Sequence, residues 1–154
     1  YEGTNGVQAM DLLARKVVGS QGVMMQVFID EVNAYIDETS AENMQEFILP
    51  LTKVMADLSI LTQNIITRSA ANPNELGSAA NDYLHVFGYT AMAYVWAKMV
   101  EVALQKQDSG DHFYLSKVQT ARYYFARMLP RTQSLISAIN AGSDTLFAID
   151  DQLF

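Results

Sequence analysis

Cysteine is absent from the 154 residues. That excludes disulfides and thiolate metal sites, and it leaves the compartment open with a lean towards the cytoplasm. Clustered positive charge is missing as well: 10 Lys and Arg stand against 17 Asp and Glu, a formal net charge of −7. A nucleic-acid partner needs basic clusters to displace counterions, so none is expected. No uninterrupted apolar run approaches the ~20 residues of a membrane span, and no transmembrane segment is expected. Histidine occurs only twice, at His85 and His112. A carboxylate-bridged dimetal bundle would need two Glu-x-x-His pairs, so a metal centre is not expected either. Proline and glycine are sparse, at three and eight residues.

Half of the residues are apolar or aromatic and 18% are charged, the composition of a globular chain long enough to bury its own core. Apolar residues recur at spacings of three and four almost throughout, the pattern of amphipathic helices. A first helix is predicted over 4–18, capped by Thr4 or Asn5, with Val7, Met10, Ala14 and Val17 on one face. Gly19 breaks it, and Ser20 caps a second helix whose apolar side carries Met24, Phe28, Val32, Tyr35 and Ile36. The run Thr39-Ser40-Ala41-Glu42 reads as a capping box opening a long helix to about residue 71. Met44, Phe47, Leu51, Val54, Leu58, Leu61 and Ile65 are in step along that helix, and Pro50 is expected to bend it. Asn72-Pro73-Asn74 marks a turn. A further helix over 75–107 carries Tyr83, Phe87, Ala91, Tyr94 and Val102, with Gly88 predicted at a close helix contact. The segment 108–111 caps a last helix with Pro130 inside it and Gly142 as its stop. Three helices of this length, each ~45 Å at 1.5 Å per residue, pack antiparallel when short turns join them. The fold class is therefore all-α: an up-and-down, four-helix-bundle-like array of long helices with an extra N-terminal helix. Residues 143–154 form a tail mixing acids with Leu146, Phe147, Ile149, Leu153 and Phe154.

Few side chains suggest chemistry on their own. Asp82 and His85 stand at i and i+3, but no second pair completes a metal set. The aromatic stripe Tyr83, Phe87, Tyr94 and Trp96 and the methionines read as core, and no ligand site is expected in the bundle. Arg127 and Arg131 share a face and can hold carboxylates of a neighbouring helix or subunit. Glu2 is a carboxylate just before a helix start, beside Gly3; by itself it reads as a solvated terminal acid.

Tyr1-Glu2-Gly3-Thr4, extended by Asn5-Gly6-Val7-Gln8-Ala9 and the basic pair Arg15-Lys16, closely resembles the catalytic-base segment of acyl-CoA dehydrogenases. The longer run resembles the branch similar to 3-methylmercaptopropionyl-CoA dehydrogenase, which carries an additional C-terminal helical domain. The stretches Asp82-Tyr83-Leu84, Phe87-Gly88-Tyr89 and Ala121-Arg122-Tyr123-Tyr124-Phe125 look like that domain. This resemblance implies that Glu2 removes the α-proton of an acyl-CoA thioester while the β-hydride passes to FAD. Gly3 would let the backbone lie against the substrate, and Thr4, Asn5 and Gly6 occupy positions of cofactor contact. At Gly6 many shorter members carry Gln. Residues 1–19 would then be the end of the dehydrogenase core and 20–142 the accessory bundle. The remaining FAD- and CoA-binding parts would precede Tyr1, so the chain alone is expected to be inactive and to bind no FAD. A homo-oligomer and a separate electron acceptor are implied, in fatty-acid metabolism. The alternative is a non-catalytic helical interaction or oligomerisation module.

Overall fold

The computed structural model of the chain describes residues 3–106, 111–149 and 152. Its helices are α1 (Asn5–Met10), α2 (Val23–Glu38), α3 (Gln45–Ala71), α4 (Asn74–Gln105), α5 (His112–Tyr123) and α6 (Arg131–Asn140). A π-helical segment, Asp11–Val18, prolongs α1, and another, Tyr124–Met128, prolongs α5. Among the described residues there is no strand, as the all-α reading requires. No helix among them is long and apolar enough to cross a membrane.

The composition of α4 decides the architecture. Ala79, Ala80, Ala93, Ala97 and Ala103 are buried on it, alternating with Tyr83, Val86 and Val100. These buried positions form one broad face that must be covered, and alanine lets neighbouring backbones come close. Helices α1, α3, α5 and α6 all pack on α4, while α2 leans on α3 and the first π segment. A single core runs from Ala9 to Ile139. Between α3 and α4, Asn72 Oδ1 accepts the Asn74 amide at 3.1 Å and tightens the expected turn, so the two helices run antiparallel.

On α3 the expected face is buried from Met44 through Ile65, and the helix runs on through Pro50 in its second turn. Elsewhere several expectations fail. Gly88 is exposed and open space surrounds it, so no helix packs there. Thr39 and Glu42 form no capping box: the Thr39 hydroxyl donates back to the Tyr35 carbonyl at 2.7 Å and finishes α2 instead. On α2 Val32 is buried and Phe28, Tyr35 and Ile36 pack against the core as expected, but Met25 and Ile29 are buried beside them and Met24 is exposed. The true N-cap of α2 is Gly22 at φ 84°, although Ser20 Oγ does accept the Met24 amide at 3.2 Å. On the first helix, Ala9, Leu13 and Val17 face the core while Val7 and Met10 face outwards.

Pro130 divides the last helix rather than merely bending it. Without an amide hydrogen it cannot continue the ladder, and it becomes the N-cap of α6. The turn before it loosens to π spacing, with the Leu129 amide donating to the Tyr124 carbonyl at 3.0 Å. Asp111 caps α5 by accepting the Phe113 amide at 2.8 Å. Gly142 ends the bundle at φ 78°, the left-handed stop its position suggests.

Candidate functional site

Glu2, the expected base, lies outside the described residues. The described part of that segment starts at Gly3, exposed, at φ 70°, with nothing within 4 Å of where a Cβ would project. Thr4 occupies the N-cap position of α1, yet its hydroxyl makes no capping bond; its carbonyl accepts the Gln8 amide at 2.9 Å. Asn5 is exposed, and Gly6 is half-buried in the first turn. The structure thus brings Gly3, Thr4, Asn5 and Gly6 together at the mouth of one helix, on the outside of the bundle. Leu13 and Val17 fix that helix to the core.

Its second half explains the basic pair. At π spacing, residues five apart come onto one face, so Arg15 and Lys16 both reach Asp11. Arg15, followed by Lys16, holds the Asp11 carboxyl below its ordinary range. Gly19 closes the segment by donating to the Ala14 carbonyl at 2.8 Å. A Cβ there would lie 2.5 Å from the Arg15 carbonyl oxygen, so only glycine fits.

The aromatic stripe is packing, as its spacing suggests. Phe28 sits 5.1 Å from Phe87 and 6.5 Å from Tyr94, and Tyr35 lies 5.4 Å from Tyr94, joining α2 to α4. Tyr83 is fully buried, bonded to the Thr62 hydroxyl at 2.7 Å, and burial pushes its phenol up to about 12. It stays neutral and does no acid–base work at ordinary pH. His85 is exposed, and no group of three or more metal-ligating side chains occurs among the described residues. Arg122, rather than Arg127 or Arg131, holds a neighbouring carboxylate, with Glu46 bound through Nη2 at 2.7 Å and Nε at 3.0 Å.

Two features escaped the sequence. The first is a polar latch in which Glu75, buried at the start of α4, accepts the Ser143 amide at 2.9 Å and the Ser143 hydroxyl at 2.7 Å. Arg68 Nε lies 3.3 Å from its other oxygen, poorly aligned for a hydrogen bond, while Arg68 Nη2 donates to the Ile139 carbonyl at 3.0 Å. The two Ser143 hydrogen bonds, aided by Arg68, hold the Glu75 carboxyl below its ordinary value. Helix spacing gives no sign of a contact that bridges 68 positions of sequence. The second feature is a cleft of about 520 Å³ between the end of α4 and the start of α5, lined by Val95, Met99, Val102 and Phe113. Val95 and Val102, off the buried stripe of α4, were the available signal.

Residues 28–150 match the profile of the family described as acetyl-CoA dehydrogenase C-terminal like. Over 166 aligned positions the chain, along its full length, is 22% identical to a broad-specificity linear acyl-CoA dehydrogenase of Mycobacterium tuberculosis. It spans 27% of that protein's length.

Proposed function

The chain belongs to the acetyl-CoA dehydrogenase C-terminal-like family, and from that premise we propose that it is the C-terminal helical part of a flavin-dependent acyl-CoA dehydrogenase. Its substrate would be a linear acyl-CoA thioester, the class named for the mycobacterial relative. The observation that carries this reading is the run Tyr1-Glu2-Gly3-Thr4 in the sequence, whose described part, from Gly3 onward, leads into a helix that shares one core with the family-matched region. Glu2 is the base. It takes the α-proton, which requires a carboxylate whose pKa rises as bound substrate excludes water. FAD supplies, when bound, the acceptor for the β-hydride. The residues present fit one edge of such a site. Gly3 leaves open space for close approach, and the Thr4 hydroxyl is unspent on capping. Thr4, Asn5 and Gly6 would hold the cofactor edge, with first-turn amides suited to phosphate oxygens. The working enzyme is a homo-oligomer in the cytoplasm that oxidises acyl chains and passes electrons to a separate acceptor.

Glu2→Gln in the complete enzyme tests this. The expected result is a fall in turnover of at least ~10²-fold, the usual worth of a positioned general base, with flavin absorbance and substrate binding kept. Wild-type turnover would remove the assignment and leave the helical interaction module.

A further inference from the structure

The lining of the α4–α5 cleft is sorted by height. Helix α5 packs back along α4 after a short turn, so distance from that turn orders both helices on one scale. Lys98 lies seven residues before the end of α4 at Gln105, and Lys117 five after the start of α5 at His112, ~10 and ~8 Å from the turn at 1.5 Å per residue. The two lysines lining the cleft therefore stand at about one level, one on each wall. Val102, Ala103, Phe113 and Tyr114 lie between them and the turn. Of these, Val102 and Phe113 are 48% and 55% exposed, so the slot is apolar yet open to water. Lys106, over the Tyr114 ring at 5.5 Å, does not line it.

The charged end lacks a counter-ion of its own. Lys16 and Lys53 are paired with Asp11 and Asp57, whereas Lys98 and Lys117 have no ion pair among the described residues. The acids near Lys98 are engaged elsewhere: Glu31 accepts the Tyr94 hydroxyl at 2.9 Å, and Glu101 lies against Tyr35. Lys98 spends one of its three N–H donors on the Tyr94 hydroxyl, at 3.3 Å, and Lys117 stands over the Phe113 ring at 4.9 Å. We propose that the cleft binds a free medium-chain fatty acid as its anion, the carboxylate between Lys98 and Lys117 and the alkyl chain along Val102 and Phe113 towards the turn. A depth of ~10 Å takes roughly eight carbons in zigzag at C–C bonds of ~1.5 Å. The volume of about 520 Å³ also lies within the ~300–1,000 Å³ usual for small-ligand sites. The free acid fits better than its CoA ester. A thioester carbonyl is neutral and matches neither ammonium, while the CoA phosphates hang beyond the pantetheine arm. An anionic membrane fits less well, because the slot is recessed between two helices and the chain carries a net charge of −7. Glu2, Thr4, Asn5 and Gly6 take no part, so this inference stands apart from the catalytic one.

Carbon-13 NMR of carboxyl-labelled decanoate, kept below its micelle concentration and titrated with the 154-residue chain, provides the test. One saturable site is expected, weaker at high salt; absence of binding overturns the proposal. K98Q/K117Q, with helicity checked by circular dichroism, should weaken decanoate by at least about tenfold, since two charge-assisted hydrogen bonds are lost. Decanol, which competes for the alkyl slot without a charge, should lose nothing; an equal loss for decanol overturns the carboxylate's place between the lysines. Val102→Glu, at an exposed position, should weaken both ligands. Decanoate binding that neither variant alters lies outside the cleft and overturns the proposal. Decanoyl-CoA should displace decanoate poorly; displacement at equal concentration would make the cleft a thioester site and overturn the free-acid assignment. Phosphatidylglycerol vesicles that bind through the same lysines, with monomeric decanoate left unbound, would overturn it in favour of a membrane surface.

Discussion

Glu75 shows how much can rest on one buried carboxylate. It ties the first turn of α4 to Ser143 just beyond α6, and Asn72 reaches the same serine hydroxyl at 3.0 Å. Glu75→Gln keeps the shape but removes the charge that suits Arg68 and the Ser143 amide. It should cost about 1–3 kcal/mol in urea unfolding, the worth of charged hydrogen bonds lost from a buried site. The pH dependence has a definite sign. Because the folded carboxyl titrates below its ordinary 4.5, its stabilisation is complete above that value and is lost as pH falls through the lower folded one. The wild type should therefore lose stability on acidification below 4.5 more steeply than Glu75→Gln; parallel curves would show that the carboxylate is not the source. None of this is written in local sequence, where Glu75 looks like an ordinary first-turn acid.

Among the helices, two glycines make opposite demands. Gly88 lies exposed in the middle of α4 with open space about it, so Gly88→Ala should stabilise the chain by ~1 kcal/mol through helix propensity alone. Gly19 closes a π segment against the Arg15 carbonyl, so Gly19→Ala should destabilise by about 1–3 kcal/mol through overpacking. Thermal or chemical denaturation of both variants checks the pair. If Gly88→Ala stabilised this chain yet weakened the complete enzyme, another part of that enzyme would be packed against α4 at that point. On the first helix Val17 is buried as the 3.6-residue period predicts, but Val7 and Met10 face outwards and Ala9 and Leu13 take the inner face against α4. On α3 the whole expected face is buried.

Across the molecule the first helix belongs to the same core as the bundle: Leu13 and Val17 are as buried as Val86 and Val100. The chain should accordingly unfold in a single transition, with helicity and tyrosine–tryptophan signals coinciding; two separate transitions would mark a boundary near residue 19. If the chain is the helical part of a dehydrogenase as proposed, it should quench no flavin fluorescence when titrated with FAD, because Thr4, Asn5 and Gly6 would offer only one edge of a cofactor site. From the order of residues alone came the all-α class, the long helices, the turn at Asn72-Pro73-Asn74, the Gly142 stop and the resemblance that singles out Glu2. These follow from periodicity, caps and a short contiguous run, all local properties. Which face of α1 and α2 turns inward, the Glu75 latch and the α4–α5 cleft arose from packing around α4. The latch joins residues 68 positions apart and the cleft joins two helices, and no local pattern encodes such contacts.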